Sequence, residues 1–174
     1  QRKGVDVVIA MDVSKSMLAE DFAPNRLERA RQLVIRLMNQ LPNDRIGIVL
    51  FAGRAYLQMP LTTDHSAARM YIQQAGPNMV PAQGTAIGEA LRIANTSFNS
   101  KERKFKSIVL ISDGEDHDEG AIQIVKTLSE NGVMINTVGI GSIDGSVIID
   151  PETGVSKKDQ QGNTTFPGRK KLLW

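Results

Sequence analysis

The sequence holds no cysteine, one tryptophan and two histidines, and only 5% of its residues are aromatic. Without cysteine there are no disulfides, no thiolate nucleophile and no Cys-ligated zinc or iron–sulfur cluster, although the compartment stays open. Neither G-x-G-x-x-G nor G-x-x-x-x-G-K-[ST] occurs, which removes the dinucleotide and P-loop fingerprints. A Ser-His-Asp triad would have to use His65 or His117, and no G-x-S-x-G elbow accompanies either. Charge of neither sign dominates, with 21 Lys and Arg against 19 Asp and Glu, a net charge of +2. The basic residues are scattered without interleaved aromatics, so nucleic acid is not an expected partner. No apolar run approaches the roughly 18 to 20 residues that a membrane-crossing helix needs, and no charged-then-apolar leader opens the chain.

What is present suits one globular domain: 174 residues, 41% hydrophobic and 23% charged. The chain opens at Gln1 and enters an apolar pattern by Val5. It is therefore expected to be a soluble piece of a longer precursor, with flanking segments, including any membrane anchor, missing. Residues 5–11 (VDVVIAM) form a short β-branched apolar run, which predicts a buried strand. Pro24 and Asn25 introduce a helix whose apolar residues Leu27, Ala30, Val34, Leu37 and Leu41 recur at spacings of three and four. Residues 45–52 read as a second strand, and residues 55–59, across Gly53, as its antiparallel hairpin partner at a sheet edge. Asp64 is the expected N-cap of a helix to about residue 74, followed by an irregular stretch through Gly76, Pro77, Pro81 and Gly84. A helix is expected from Thr85 to about Phe98, a strand over 106–112, a helix over 119–131 capped by Gly132, and a strand over 133–140. This alternation predicts an α/β fold: an open, mostly parallel sheet with one antiparallel edge strand and helices on both faces. The pattern fails from Gly141. The division expected is a domain over 1–145 and an irregular extension over 146–174, with at most short strands at 147–149 and 164–166.

Open α/β sheets bind ligands beyond the carboxyl ends of their strands, and here those ends deliver oxygen donors. The first strand runs into Asp12-Val13-Ser14-Lys15-Ser16, whose alternate spacing points three polar side chains the same way. The third runs into Ser112-Asp113-Gly114, and Thr85 follows Gly84 where a helix is expected. Asp12, Ser14, Ser16, Thr85 and Asp113 together offer two carboxylates and three hydroxyls, hard donors suited to magnesium, with manganese or calcium as alternatives. This set does not fill an octahedral shell and offsets little beyond the ion's own charge. An open position would remain for an incoming carboxylate from a partner.

DVSKS at 12–16, GT at 84–85 and SDG at 112–114 resemble the metal-ion-dependent adhesion site (MIDAS) of von Willebrand factor A domains. Within that superfamily, residues 6–22, 42–53, 56–64, 79–91 and 111–117 are similar to the bacterial aerotolerance (Bat) proteins, nearest the B type. The resemblance covers roughly residues 4–145. It implies a Rossmann-like, doubly wound domain set between membrane-spanning segments, facing the periplasm from the bacterial inner membrane. By this pattern Ser14, Ser16 and Thr85 contact the ion, while Asp12 and Asp113 act largely through water or hydrogen bonds. Family members usually continue into a further helix and strand, and the ending FPGRKKLLW shows no such pattern, so an exposed sheet edge is expected.

Plainer readings stand beside these. Serines in the first loop serve equally as caps, and Thr85 as an N-cap as well as a ligand. Residues 115–119 lack Gly at the sixth position of a calcium loop, where Asp118 stands, and read as a solvated acidic helix start. Asp116 and His117, beside the site, are alternative contacts for a partner or the ion's outer shell. Glu20 and Asp21 read as solvated loop acids, His65 as a surface residue, and Lys15 as a turn residue or a guide for an acidic partner. Arg169, Lys170 and Lys171 are weak evidence for a membrane surface. The leading expectation is a cation-dependent module that binds an Asp or Glu of another envelope protein and performs no catalysis. One alternative is a magnesium-dependent phosphoryl-transfer or hydrolase enzyme, against which the second acid two residues after Asp12 is replaced by Ser14. The other is a scaffold without a metal.

Overall fold

The computed structural model describes residues 4–82, 84–99, 101, 105–114 and 119–141. Five strands form one sheet in the order β3-β2-β1-β4-β5. The central strand β1 (Val5–Asp12) pairs in parallel with β2 (Arg45–Phe51) on one side and β4 (Phe105–Ser112) on the other, and β5 (Val133–Gly139) continues in parallel beyond β4. The edge strand β3 (Ala55–Thr62) is antiparallel to β2. Fold class and strand directions are thus as the alternation predicts.

Helices cover both faces. Ile9 and Met11 of β1 pack with Leu27, Ala30, Val34 and Met38 of α1 (Arg26–Gln40) and with Ala68 and Ile72 of α2 (His65–Gln74). Val8 and Ala10, facing the other way, pack with Ala90, Leu91 and Ala94 of α3 (Ile87–Thr96) and with Leu128 of α4 (Glu119–Glu130). A strand buried on both faces is apolar along its middle, which is why residues 7–11 of β1 show no alternation. Asn25 caps α1 by accepting from the Glu28 amide at 2.8 Å, and Asp64 caps α2 by accepting from the Ala67 amide at 3.1 Å.

Three expectations are corrected. β3 extends to Thr62 through Pro60, because an edge strand can turn the position without an N–H outward and the β2–β3 register shifts nearby. α3 begins at Ile87 with Ala86 as its cap residue, so Thr85 is not an N-cap. His65 is half-buried, its Nε2 bonded to the Asp44 carbonyl at 2.7 Å. The extension from residue 146, the candidate strands at 147–149 and 164–166, Asp116, His117 and the basic cluster at 169–171 lie outside the described residues. Among the described residues no helix is long and apolar enough to cross a membrane.

Candidate metal centre

The connection from β1 leads to β2 on one side, while β4 lies on the other, so the crevice between the carboxyl ends of β1 and β4 is the topological switch point of the sheet. Asp12, the last residue of β1, is fully buried there. Its Oδ1 accepts the Ser14 amide at 2.8 Å, which closes a tight turn directly after the strand. Its Oδ2 accepts from the Ser112 hydroxyl at 2.8 Å, which ties the ends of the two strands together. Ser112 also accepts the Gly114 amide at 3.2 Å, and Gly114 takes a φ of 81° that lets the chain turn away right after Asp113.

Beyond that turn Lys15–Leu18 forms one turn of 3-10 helix, preceded by Ser14 with an extended backbone and no side-chain cap bond. The Ser14 hydroxyl is instead 2.9 Å from that of Ser16, and Ser16 donates to Asp113 Oδ2. A hydroxyl has one proton, so Ser14 is the donor to Ser16, and the chain runs Ser14 to Ser16 to Asp113. Lys15, between them, is exposed.

The Asp113 side chain is inaccessible to solvent, and its Oδ2 lies 3.3 Å from Nη1 of Arg26, the first residue of α1. Arg26, equally inaccessible, donates from Nε to Asp21 Oδ1 at 2.8 Å. Asp21 is therefore half-buried and ion-paired rather than a solvated loop acid, whereas Glu20 is exposed. Asp113 Oδ1 is buried and has no hydrogen-bond partner among the described residues. Burial pushes the Asp12 carboxyl up from 3.8 to about 7, the Asp113 charge adds to the rise, and the Ser14 and Ser112 hydrogen bonds oppose it.

Thr85 is brought to the same end of the sheet by a different device. Gly53 donates its amide to the Ala82 carbonyl at 2.8 Å, and Ala86 donates to the Ala52 carbonyl at 2.6 Å. These bonds dock the loop before α3 onto the end of β2, whose last residue pairs with Asp12. Among the described residues Thr85 makes no hydrogen bond to the other four. The structure thus links Asp12, Ser14, Ser16 and Asp113 through direct bonds or shared neighbours and places the loop that carries Thr85 at the same end of the sheet.

Three partners escape a reading of the sequence alone: Ser112, Asp21 and Arg26. The signal for Arg26 was available, since position 26 falls four residues before Ala30 and so in phase with the buried residues 30, 34 and 38.

The donor set fits a hard divalent cation. Two buried carboxylates side by side, one with an oxygen that no donor among the described residues satisfies and both next to hydroxyls, form an arrangement that a cation stabilises.

The family model for the von Willebrand factor type A domain matches residues 7–115. The chain belongs to that family. Within it the chain is similar to the crystal structure of BatB from Bacteroides thetaiotaomicron, with 40% identity, a TM-score of 0.81, and 94% of this chain and 80% of that one covered. An aerotolerance-related membrane protein from Bacteroides fragilis is equally similar, with 40% identity, a TM-score of 0.81, and 94% and 81% covered. The fold is shared at 23% identity with proximal thread matrix protein 1 of the mussel byssus, determined with a zinc-occupied MIDAS motif (TM-score 0.68, 80% and 37% covered). Against curated sequences the chain spans 41% of the length of one relative and 50% of another.

Proposed function

We propose that this chain is a cation-dependent protein-binding module of a membrane-anchored envelope protein, facing the periplasm, and that it engages an Asp or Glu of a partner protein. Asp12, Ser14, Ser16, Thr85 and Asp113 hold the ion, expected to be magnesium, and none of them is catalytic. The observation that carries the reading is Asp113 Oδ1, a buried carboxylate oxygen with no donor among the described residues, at the end of the Ser14–Ser16 hydroxyl chain. A native fold rarely leaves such an atom unsatisfied without a use for it. The mussel protein's zinc supports placing an ion at this end of the fold, and the Bacteroides fragilis protein's description supports a membrane setting.

The residues divide the work. Asp12 and Ser112 fix the loop relative to β4, so that Ser14 and Ser16 present their oxygens from a backbone that is already folded. A bound magnesium ion supplies one electrophilic position to which a partner's carboxylate adds as a ligand. Asp12 and Asp113, bonded to Ser14 and Ser16 respectively, would supply negative charge to a bound ion. A phosphoryl-transfer enzyme of the kind considered above would place its second acid two residues after Asp12, and that residue is Ser14.

Thermal unfolding with magnesium or manganese against chelator tests this reading. At about 100 times the dissociation constant the ion adds roughly 2.7 kcal/mol, a rise of about 5 to 10 °C for a chain of this size. The rise is expected in the parent and absent from a Ser14→Ala, Ser16→Ala double variant. The same rise in both proteins would sink the assignment of these hydroxyls.

A further inference from the structure

Arg26 occupies a position that is unfavourable on two counts. A cation in the first turn of a helix opposes the helix dipole, and a guanidinium with a side chain inaccessible to solvent forfeits its hydration. Asp21 at 2.8 Å and Asp113 at 3.3 Å, among the described residues, help to offset both. The backbone is committed as well, since the Arg26 amide donates to the Ala19 carbonyl at 2.9 Å and so pins the end of the Ser14–Ala19 loop to α1. One guanidinium thus bridges the carboxylates of Asp21 and Asp113.

We propose that Arg26 is a built-in counter-cation at Asp113, which keeps the site assembled without an ion and opposes the ion when it binds. The proposal rests on the ion-site reading above and adds an antagonism between two cations for one carboxylate. Both Arg26 and Ser16 approach Asp113 through Oδ2, and Oδ1 has no hydrogen-bond partner among the described residues. The guanidinium therefore neutralises the carboxylate without occupying the oxygen offered to the ion. Charges a few ångströms apart in a water-poor interior interact strongly, so the guanidinium lowers the affinity for any cation on Oδ1. The fold then does not depend on the ion, and the site binds it weakly enough for a partner's carboxylate to contribute a decisive share of the affinity.

The test uses the full chain, with magnesium chloride alone and manganese chloride alone in titration calorimetry and with thermal unfolding in chelator. Three variants are compared with the parent. Arg26→Met removes the charge and keeps most of the length, Arg26→Gln removes the charge but can still bond Asp21, and Arg26→Lys keeps the charge. The neutral variants are expected to bind the ion about tenfold more tightly or better. They are also expected to unfold earlier than the parent in chelator, with the gap closing as ion is added. Arg26→Lys should stay close to the parent in affinity. If Arg26→Met folds only with ion present, that outcome supports the proposal, because the ion has then replaced the guanidinium. If Arg26→Met fails to fold in either condition, the same expectation passes to Arg26→Gln. Equal or weaker binding by the neutral variants, with the parent still binding, overturns the antagonism and leaves the ion site standing, since a guanidinium that merely oriented Asp113 would be missed on removal. Absence of binding by all four proteins at tens of millimolar ion would overturn the ion site together with this proposal.

Discussion

Asp12 is held from both sides, Oδ1 by the Ser14 amide and Oδ2 by the Ser112 hydroxyl, yet its pKa still rises to about 7. Two neutral hydrogen bonds do not replace the hydration that a fully buried carboxylate loses, and the nearby Asp113 charge adds to the deficit. The sign of the consequence for stability follows. Between pH 3.8 and about 7 the folded state binds a proton that the unfolded state has released, so stability without ion falls as pH rises through that window and levels off above it. An Asp12→Asn variant lacks this loss. In chelator, its midpoint relative to the parent should therefore climb from pH 4 to pH 7 by an amount corresponding to a few kcal/mol and stay flat from pH 7 to pH 8.5. A difference independent of pH, read from urea midpoints at five pH values, would show that the Asp12 charge is compensated by something else.

At the scale of elements, the proposed ion site draws on a loop that belongs to neither β1 nor β4. Gly84 takes a φ of 121°, a conformation open almost only to glycine, just where the chain docks against Ala52 and Gly53. A Cβ there would meet Gly53 Cα at 3.4 Å, an ordinary contact, so the backbone angle and not crowding sets the penalty. Gly84→Ala is expected to cost about 1 to 3 kcal/mol and, by displacing Thr85, to weaken ion binding measurably in calorimetry. Gly132, with a φ of 82° and open space around it, lies between α4 and β5 at the opposite edge of the sheet. Gly132→Ala should cost a comparable amount of stability and leave ion affinity unchanged, so the pair separates strain in general from strain at the site. The three buried strands β1, β2 and β4 and the four helices were legible because each carries an apolar run or a stripe at helical spacing, whereas β5, expected to be buried like them, is a half-exposed edge with Met134 62% exposed. The end of β3 was missed because Pro60 reads as a breaker unless the strand is known to be an edge. The start of α3 was misplaced because Thr85 looks like a cap until the β2 docking bonds are seen to hold residues 82–86 out of the helix. Arg26 escaped because a charged residue on an apolar stripe is read as solvated, and its ionic partners come from 5 and 87 residues away in sequence.

For the whole molecule the question is whether the ion builds any of the fold or only occupies it. The sheet has a packed helical layer on each face, with Ile9, Met11 and Leu27 on one side and Val8, Ala10 and Leu91 on the other all at 2% exposure or less. Neither layer draws on the five oxygen donors. The loop after β1 is closed by the Asp12–Ser14 turn and by the Val13 amide, which donates to the Phe51 carbonyl at 2.8 Å. Arg26 supplies a cation to Asp113 from within. A site prepared in this way should change the stability of the molecule without changing how much surface unfolding exposes. In urea the midpoint should therefore move upward with added magnesium, in proportion to the logarithm of its concentration once the site is saturated. The slope of free energy against urea should stay the same with ion and with chelator, because that slope follows the surface exposed on unfolding. A steeper slope with ion would mean that the Ser14–Ala19 loop or the α3 docking loop orders only on binding. In that case the hydroxyl chain from Ser14 to Asp113 describes the occupied state, and an account of partner recognition must include the cost of ordering those loops.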